Sequence, residues 1–281
     1  MHNIVCGPFC FSIETSINSV VKAIGSLYTE QARESGEFVD FAIELTSPKS
    51  IRRIIKPQVN FSVDEHNPFK PLPLDHAYPM LEWGMNWCIA TSAHQFLIVH
   101  AASIEKNGKV IMMPADSGSG KSTLTAFLVY NGWRLFSDEL SLCSLDDGYM
   151  QPLARPINLK NQSIDIIKEC LPSAIFSATA FDTHKGTVAL LKAPDDSVKR
   201  MHETSPLSAI VFPKYIAGSE TVLQECHSIA AFEMIIKQSF NYHILGDSAF
   251  RLVCKYLQQT PCYQLTYSKF DEANLALSEL V

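Results

Sequence analysis

Residues 115–123 read ADSGSGKST, and the fold turns on how this stretch is understood. It matches the phosphate-binding loop pattern G-x-x-x-x-G-K-[ST], with Ala115 standing where the first glycine is usual. Such a loop needs small residues, so that successive backbone N–H groups can converge on phosphate oxygens at the start of a helix. It also needs a lysine that reaches the β- and γ-phosphates and a hydroxyl beside Mg²⁺. Asp116, Ser117, Gly118, Ser119, Gly120, Lys121, Ser122 and Thr123 are therefore the candidate nucleotide-binding set, with Lys121 and Ser122 as its phosphate and metal contacts. Alanine at 115 carries a cost only if the backbone there needs positive φ. The competing reading is a glycine turn capping an ordinary helix, with Lys121 solvated in its first turn.

The flanks favour the first reading. Phe96–His100 and Val110–Met113 are short apolar runs separated by the polar turn Lys106-Asn107-Gly108-Lys109, which predicts two antiparallel strands. After the loop, Leu124, Phe127, Leu128 and Tyr130 fall at helix spacing, and Gly132 is placed as a stop. Trp133–Phe136 then begins a strand that delivers Ser137-Asp138-Glu139 at its end. Strand, glycine loop, helix, strand and acid pair is the order the loop pattern requires. An isolated acid pair is usually solvated surface or a helix cap. Lying 17 residues beyond Lys121 (138 − 121) and one helix away, this one is a candidate metal and base site.

Residues 1–95 carry no comparable motif. They show strand-like alternation around Phe9–Ile13, then Ile17, Val20, Val21, Ile24 and Leu27 at helical spacing, then a strand candidate from Phe38 to Leu45 that ends at Ser47-Pro48. Pro68, Pro71, Pro73 and Pro79 mark an irregular connection, and the aromatic-rich segment Met80–Ala90 reads as a buried helix. With 281 residues and a prior of about 150 per domain, the chain divides into an N-terminal accessory α+β region (1–95) and a catalytic domain (96–281).

Composition excludes several function classes. Hydrophobic residues make up 47% and charged residues 19%, which rules out a disordered or collagen-like chain. Net charge is −6 and the basic residues are scattered, so no stripe offers a footprint for nucleic acid. No run approaches the roughly 18 apolar residues of a membrane span. The apolar N-terminus lacks a basic stretch, includes Pro8 and soon meets Glu14, so no signal peptide is expected. Eight cysteines without a C-x-x-C pair read as reduced, mostly buried thiols. The expectation is a soluble, cytoplasmic protein.

Taken together, His100 within FLIVHAAS (96–103), the polar turn, ADSGSGKST and RLFSDE (134–139) resemble HPr kinase/phosphorylase, where a histidine strand precedes a G-D-S-G-x-G-K-S loop and an L-V-A-D-D segment follows. Residues 96–281 are similar to the HPr-kinase-related kinase A group. The segments that carry this are RPINLKNQSI (155–164), KGTVALL (185–191), FPKYIAGSETVL (212–223), SFNYHILG (239–246) and TPCYQLTYSKFDEA (260–273). The resemblance implies an α/β fold like the nucleotide-binding core shared with phosphoenolpyruvate carboxykinase, with a mixed sheet and the loop at one end. It implies ATP·Mg²⁺-dependent phosphoryl transfer to a hydroxyl, often a serine, of a protein or peptide. Carried over residue by residue, Lys121 holds the phosphates, Ser122 the metal, Asp138 acts as general base, Glu139 replaces a second aspartate near the metal, and His100 lines the site.

Three positions depart from the pattern: Ala115 for glycine, Glu139 for aspartate, and Thr123 where the bifunctional enzymes commonly have glutamate. Their L-E-I-R-G segment is not recognisable either, so neither HPr as substrate nor phosphorylase activity is carried over. The related group's association with a small PqqD-like peptide chaperone points to a peptide acceptor. A small-molecule kinase, a carboxykinase-like enzyme and a nucleotide-gated binding module without phosphotransfer stay open as alternatives, and a homo-oligomer is compatible with each.

Arg155 and Lys160 flank an extended PINL segment and are candidates to stabilise the charge of the transferring phosphoryl group, with Lys185 of the same grade. Without the resemblance, all three would be exposed loop charges. Asp182 and His184 read as surface residues. Asn241, Tyr242 and His243 read as a hydrogen-bonding knot. Phe232, Ile235, Ile236, Phe250, Val253, Tyr256 and Leu257 have helix spacing and read as core.

Overall fold

In the computed structural model, which describes residues 1–33 and 38–281, the chain is mixed α/β with mixed sheets. The N-terminal part supplies β1 (His2–Cys6), β2 (Phe9–Thr15), α1 (Asn18–Leu27), β3 (Ala32–Arg33), β4 (Phe41–Thr46), β5 (Gln58–Val63), β6 (Leu72–Pro73) and α2 (Ala77–Ser92). Its six strands order as β3-β1-β2-β4-β5-β6, and only β2 and β4 are parallel, with α1 in the connection between them. Phe41, Ile43 and Leu45 point into the core while Ala42, Glu44 and Thr46 face out, the period of two expected of a half-covered strand. The strand foreseen from Phe38 begins only at Phe41, and Phe38 itself is exposed.

Helix α2 covers this sheet closely. A Cβ on Gly84 would lie 2.0 Å from the Phe61 ring, so only glycine lets the helix seat at that depth. The foreseen helix over Met80–Ala90 is thus present and longer at both ends, with Pro79 tolerated in its first turn. The core it shares does not stop at residue 95. Leu81, Met85 and Ile89 cluster with Ile98, Leu140, Leu142, Leu153 and Leu190 from the second part of the chain.

That second part begins with the hairpin β7 (Phe96–Lys106) and β8 (Lys109–Pro114). Its two-residue turn has positive φ at Asn107 (56°) and Gly108 (77°), the geometry that suits a tight hairpin. There follow α3 (Lys121–Val129), β9 (Arg134–Ser137), β10 (Leu140–Ser144), β11 (Tyr149–Gln151), β12 (Ile157–Lys160), α4 (Gln162–Cys170), β13 (Ala180–Thr183), β14 (Gly186–Leu191) and α5 (Asp195–Lys199). The chain continues through β15 (Ser205–Tyr215), β16 (Val222–Glu225), α6 (Ser228–Lys237), α7 (Tyr242–Leu245), α8 (Asp247–Gln259), β17 (Cys262–Tyr267) and α9 (Phe270–Ser278).

The main sheet orders as β11-β10-β7-β8-β15-β17-β16, and β11 also pairs with β15, so one end closes on itself. Strands β8, β15 and β17 run parallel, and the glycine loop leaves the carboxyl end of β8. Open α/β sheets place ligands at such strand ends. Strands β9 and β10 both pair with β7, Ser137 opposite Ser103 and Leu140 opposite His100. Asp138 and Glu139 occupy the interruption between them. A smaller sheet, β12-β14-β13, stands beside the loop and carries the turn at His184-Lys185.

Asn241 is fully buried, as the hydrogen-bonding reading requires: its amide accepts from Ile98 N (3.0 Å) and donates to Phe96 O (2.9 Å), pinning β7. Phe250 departs from the core expectation. It is exposed and packs edge-on against Phe232, while Ile235, Val253 and Tyr256 are buried. Burial pushes the thiols of Cys6, Cys88, Cys143 and Cys262 up to about 12, which leaves them inert at neutral pH. Among the described residues no helix is long and apolar enough to cross a membrane.

Candidate functional site

The glycine loop is held from two sides. Gly118 and Gly120 both have φ of 89°, and a Cβ on Gly120 would come within 2.5 Å of the Tyr267 hydroxyl and 2.9 Å of Tyr215 Cβ. Both the backbone angle and the space therefore demand glycine at 120. Tyr267 donates to Gly120 O at 3.1 Å and the Tyr215 amide donates to Ser119 O at 2.9 Å, so the ends of β15 and β17 seat the loop. Ala115 is buried and its φ is not positive, which explains why alanine suffices where the loop pattern has glycine. On the outer side Asp116 accepts from Lys237 Nζ (3.0 Å) and Gln238 Nε2 (2.7 Å), and the Lys237 hydrogen bond holds its carboxyl below the usual range.

Behind the loop, Lys121 is buried at the start of α3 and donates to the backbone oxygen of Asp138 at 2.8 Å. Burial lowers its pKa, against the opposing pull of the Asp138 and Glu139 charges. The two acids are neighbours in sequence, and their pKa values are displaced in opposite directions. Asp138 is buried, its Oδ2 accepting from the Asn158 amide at 3.2 Å and its Oδ1 without a partner. Burial raises its pKa, with Lys121 pulling the other way and the Glu139 charge adding to the rise. At Glu139 burial also favours the neutral acid, but the positive charge of Lys185, Lys121 and Lys160 prevails and its pKa falls below the usual value. Its Oε2 accepts from Asn86 Nδ2 at 2.6 Å, and Lys185 Nζ lies 3.9 Å from Oε1. His100 is paired through Nδ1 with Gln238 Oε1 at 3.1 Å, and burial, then the Lys121 charge, lower its pKa and favour neutral imidazole.

A cavity of about 400 Å³ is lined by loop residues 116–123 together with His100, Glu139, Asn158, Lys160 and Lys185. Of the residues singled out from sequence, the structure thus gathers the loop, His100, Glu139, Lys160 and Lys185 around one space. Asp138 lies behind that wall. Arg155 goes elsewhere: it is buried, paired with Glu82 Oε2 at 2.5 Å, and hydrogen-bonded to Asn86 Oδ1, both on α2. The Tyr28 and Tyr78 hydroxyls donate to the same Glu82 at 2.7 and 2.8 Å. A charge this deep must be matched by a partner, and the partner is supplied by α2. Arg155 therefore does not line the loop cavity and instead anchors Asn86, which in turn holds Glu139.

No protein-family model matches the chain, and no curated protein does.

The loop and its surroundings do fit a nucleotide with its metal. Ser119 Oγ, Asp138 Oδ1 and Asn158 Oδ1 are buried polar atoms with no hydrogen-bond partner, and all three belong to the loop or to residues directly behind it. Unmet buried groups of this kind are expensive unless a ligand or water serves them. The loop amides and Lys121 suit phosphate oxygens, and the Ser122 hydroxyl with the Glu139 carboxylate suits a hard cation. Among the described residues no cluster of three His, Cys, Asp or Glu side chains stands ready to hold a metal. Magnesium carried by a nucleotide needs only one or two carboxylates, because phosphates supply much of its shell.

Sequence reading passed over Glu82 and Asn86. A signal was present: Trp83, Asn86, Trp87 and Ala90 recur at i, i+3, i+4 and i+7 on α2. These four face a second cavity, whereas the buried stripe of Leu81, Met85 and Ile89 faces the core.

Proposed function

We propose that this protein is an ATP-dependent kinase on an HPr-kinase-like nucleotide-binding core, moving the γ-phosphoryl group to a hydroxyl, with the serine of a protein or peptide as acceptor. The observation that carries the reading is the placement of Asp138 and Glu139 at a strand end directly behind a glycine loop whose lysine reaches the first of them, with their pKa values displaced in opposite directions. A general base works best with a pKa raised toward the operating pH, and a metal ligand works best fully ionised.

Bound ATP·Mg²⁺ would supply the γ-phosphoryl group and the divalent charge that activates it. The loop amides and Lys121 hold phosphate oxygens. Ser122 and Glu139 hold the metal. Asp138 Oδ1, which has no hydrogen-bond partner among the described residues, accepts the proton of the attacking hydroxyl. Lys160 and Lys185, on the far wall of the loop cavity, offset the negative charge that gathers during transfer. His100 stays neutral and closes the wall between the phosphate side and the acceptor side.

Lys121→Ala tests the reading. Thermal stabilisation by ATP·Mg²⁺ should disappear, and phosphoryl transfer should fall by roughly 10²-fold or more, while the apo protein keeps its circular dichroism spectrum. Unchanged stabilisation by ATP would sink the loop assignment. Nucleotide binding without transfer to any peptide or alcohol would favour a nucleotide-gated module instead.

A further inference from the structure

A second cavity, about 870 Å³, shares His100, Glu139 and Lys185 with the loop cavity. Elsewhere its walls are mostly apolar and come from distant parts of the chain, Phe69 and Leu72 at β6, Trp83 and Trp87 on α2, and Phe240 and Ile244 at α7, with Lys70, Asn86, Thr91 and His184 as the polar members. The aromatic groups pack on one another. Trp87 meets Phe69 edge-on at 5.7 Å, and Trp83 meets His184 at 4.4 Å with Lys185 Nζ 5.1 Å from its ring. The cavity thus joins a largely apolar wall to a polar end that it shares with the phosphate side.

We infer that this cavity seats a peptide segment carrying the acceptor hydroxyl, with bulky apolar residues flanking that hydroxyl; the inference rests on the kinase reading above and names its substrate class. Three observations choose this occupant. The polar end coincides with Glu139, so an acceptor held there presents its hydroxyl to the wall in front of Asp138. The apolar walls reward burial of aliphatic or aromatic side chains over that of polar ones. The rim carries exposed large apolar groups, Trp87 at 37%, Phe240 at 43% and Ile244 at 55% exposure. A small molecule enclosed in the cavity would leave them wet, whereas a chain leaving it would cover them. The indole N–H of Trp83, in the same wall, has no hydrogen-bond partner among the described residues.

Two blocked heptapeptides with a central serine test this in the full-length protein, one with phenylalanine and leucine beside the serine and one with glycine on both sides. Binding is measured by calorimetry without nucleotide, and transfer separately with ATP·Mg²⁺. The apolar peptide should bind at least about tenfold more tightly. Trp87→Ala and Ile244→Asp, both at the rim, should each remove most of that preference while ATP-induced thermal stabilisation stays as in the parent. Equal binding of the two peptides, a preference that survives both rim substitutions, or preferential phosphorylation of a small aromatic alcohol such as 4-hydroxymethylphenol over both peptides would overturn the inference. Selective binding of the apolar peptide without any phosphorylation would uphold the cavity's role and break the kinase reading. Phosphorylation of both peptides equally would do the reverse.

Discussion

The two cavities that meet at Glu139 are made of opposite materials. One is polar, and half of its lining comes from a single stretch, residues 116–123. The other is apolar and draws on segments from Phe69 to Ile244, none of which shows its purpose alone. The contrast teaches how such a site divides its labour. Holding a phosphate is the same geometric problem in any protein, so a short loop with a recurring pattern solves it. Holding one acceptor and rejecting others depends on shape, and shape is assembled from whatever segments the fold brings together.

The acid pair at the junction gives the sharpest way to break this picture. On the proposed kinase mechanism Asp138→Asn keeps the side-chain shape and removes the proposed proton acceptor, so turnover should fall by roughly 10²-fold with ATP affinity nearly unchanged. Glu139→Gln should instead raise the Mg²⁺ concentration needed for half-maximal rate. Exchanged effects would hand the base role to Glu139, which lines both cavities. A steady-state titration of magnesium in both variants decides the matter.

A smaller effect is expected at Asn86 on α2, which lines the apolar cavity and holds the acid shared by both. Asn86 links Arg155 on one side to Glu139 on the other. Asn86→Ala should lower kcat by roughly tenfold, the scale of losing one orienting hydrogen bond to an acid. Its KM for ATP should hold, and the pH–rate profile should shift as Glu139 loses a donor that favours its charged form. An unchanged profile with a general loss of stability would make Asn86 merely structural.

The smallest effect is thermodynamic and has opposite signs at neighbouring positions. Burial raises the Asp138 carboxyl above the usual aspartate value, so its contribution is fully present below the unfolded pKa and is lost as pH rises through the folded one. Glu139 is lowered below 4.5, so its contribution is present above the unfolded pKa and is lost as pH falls through the folded one. At pH 7 Asp138→Asn should therefore raise Tm and Glu139→Gln should lower it. Each difference should shrink as pH falls through the folded pKa of the acid concerned. Thermal melts between pH 3 and 8 read both signs, and equal signs at neutral pH would refute the assigned ionisation.

Much of this was legible in the chain. The hairpin around Asn107-Gly108, the loop, the helix after it and the acid pair at a strand end were all read from spacing and turn chemistry, and the helix from Met80 was read from its aromatic run. These features are local: a turn, a helix face or a strand alternation is set by residues within a few positions of one another. The departure at Ala115 also resolves locally, since its φ is not positive.

What only the tertiary structure decided is non-local. Arg155 looked like a phosphate contact because an arginine beside a loop can be one. Its actual partners, Glu82 and Asn86, lie about 70 positions away, at separations of 73 and 69 residues. Strand β11 closes the sheet onto β15 through pairings that no run of residues announces. Asp138 and Glu139 are consecutive carboxylic acids with the same local pattern, and their pKa values move in opposite directions because burial dominates at one and three lysines from α3, β12 and the β13–β14 turn prevail at the other. The type of each side chain and the period of its neighbours are written along the chain. Which charge meets which, and how much water is left around it, follow from segments that touch only after folding, because desolvation and Coulomb attraction act through space and not along the backbone.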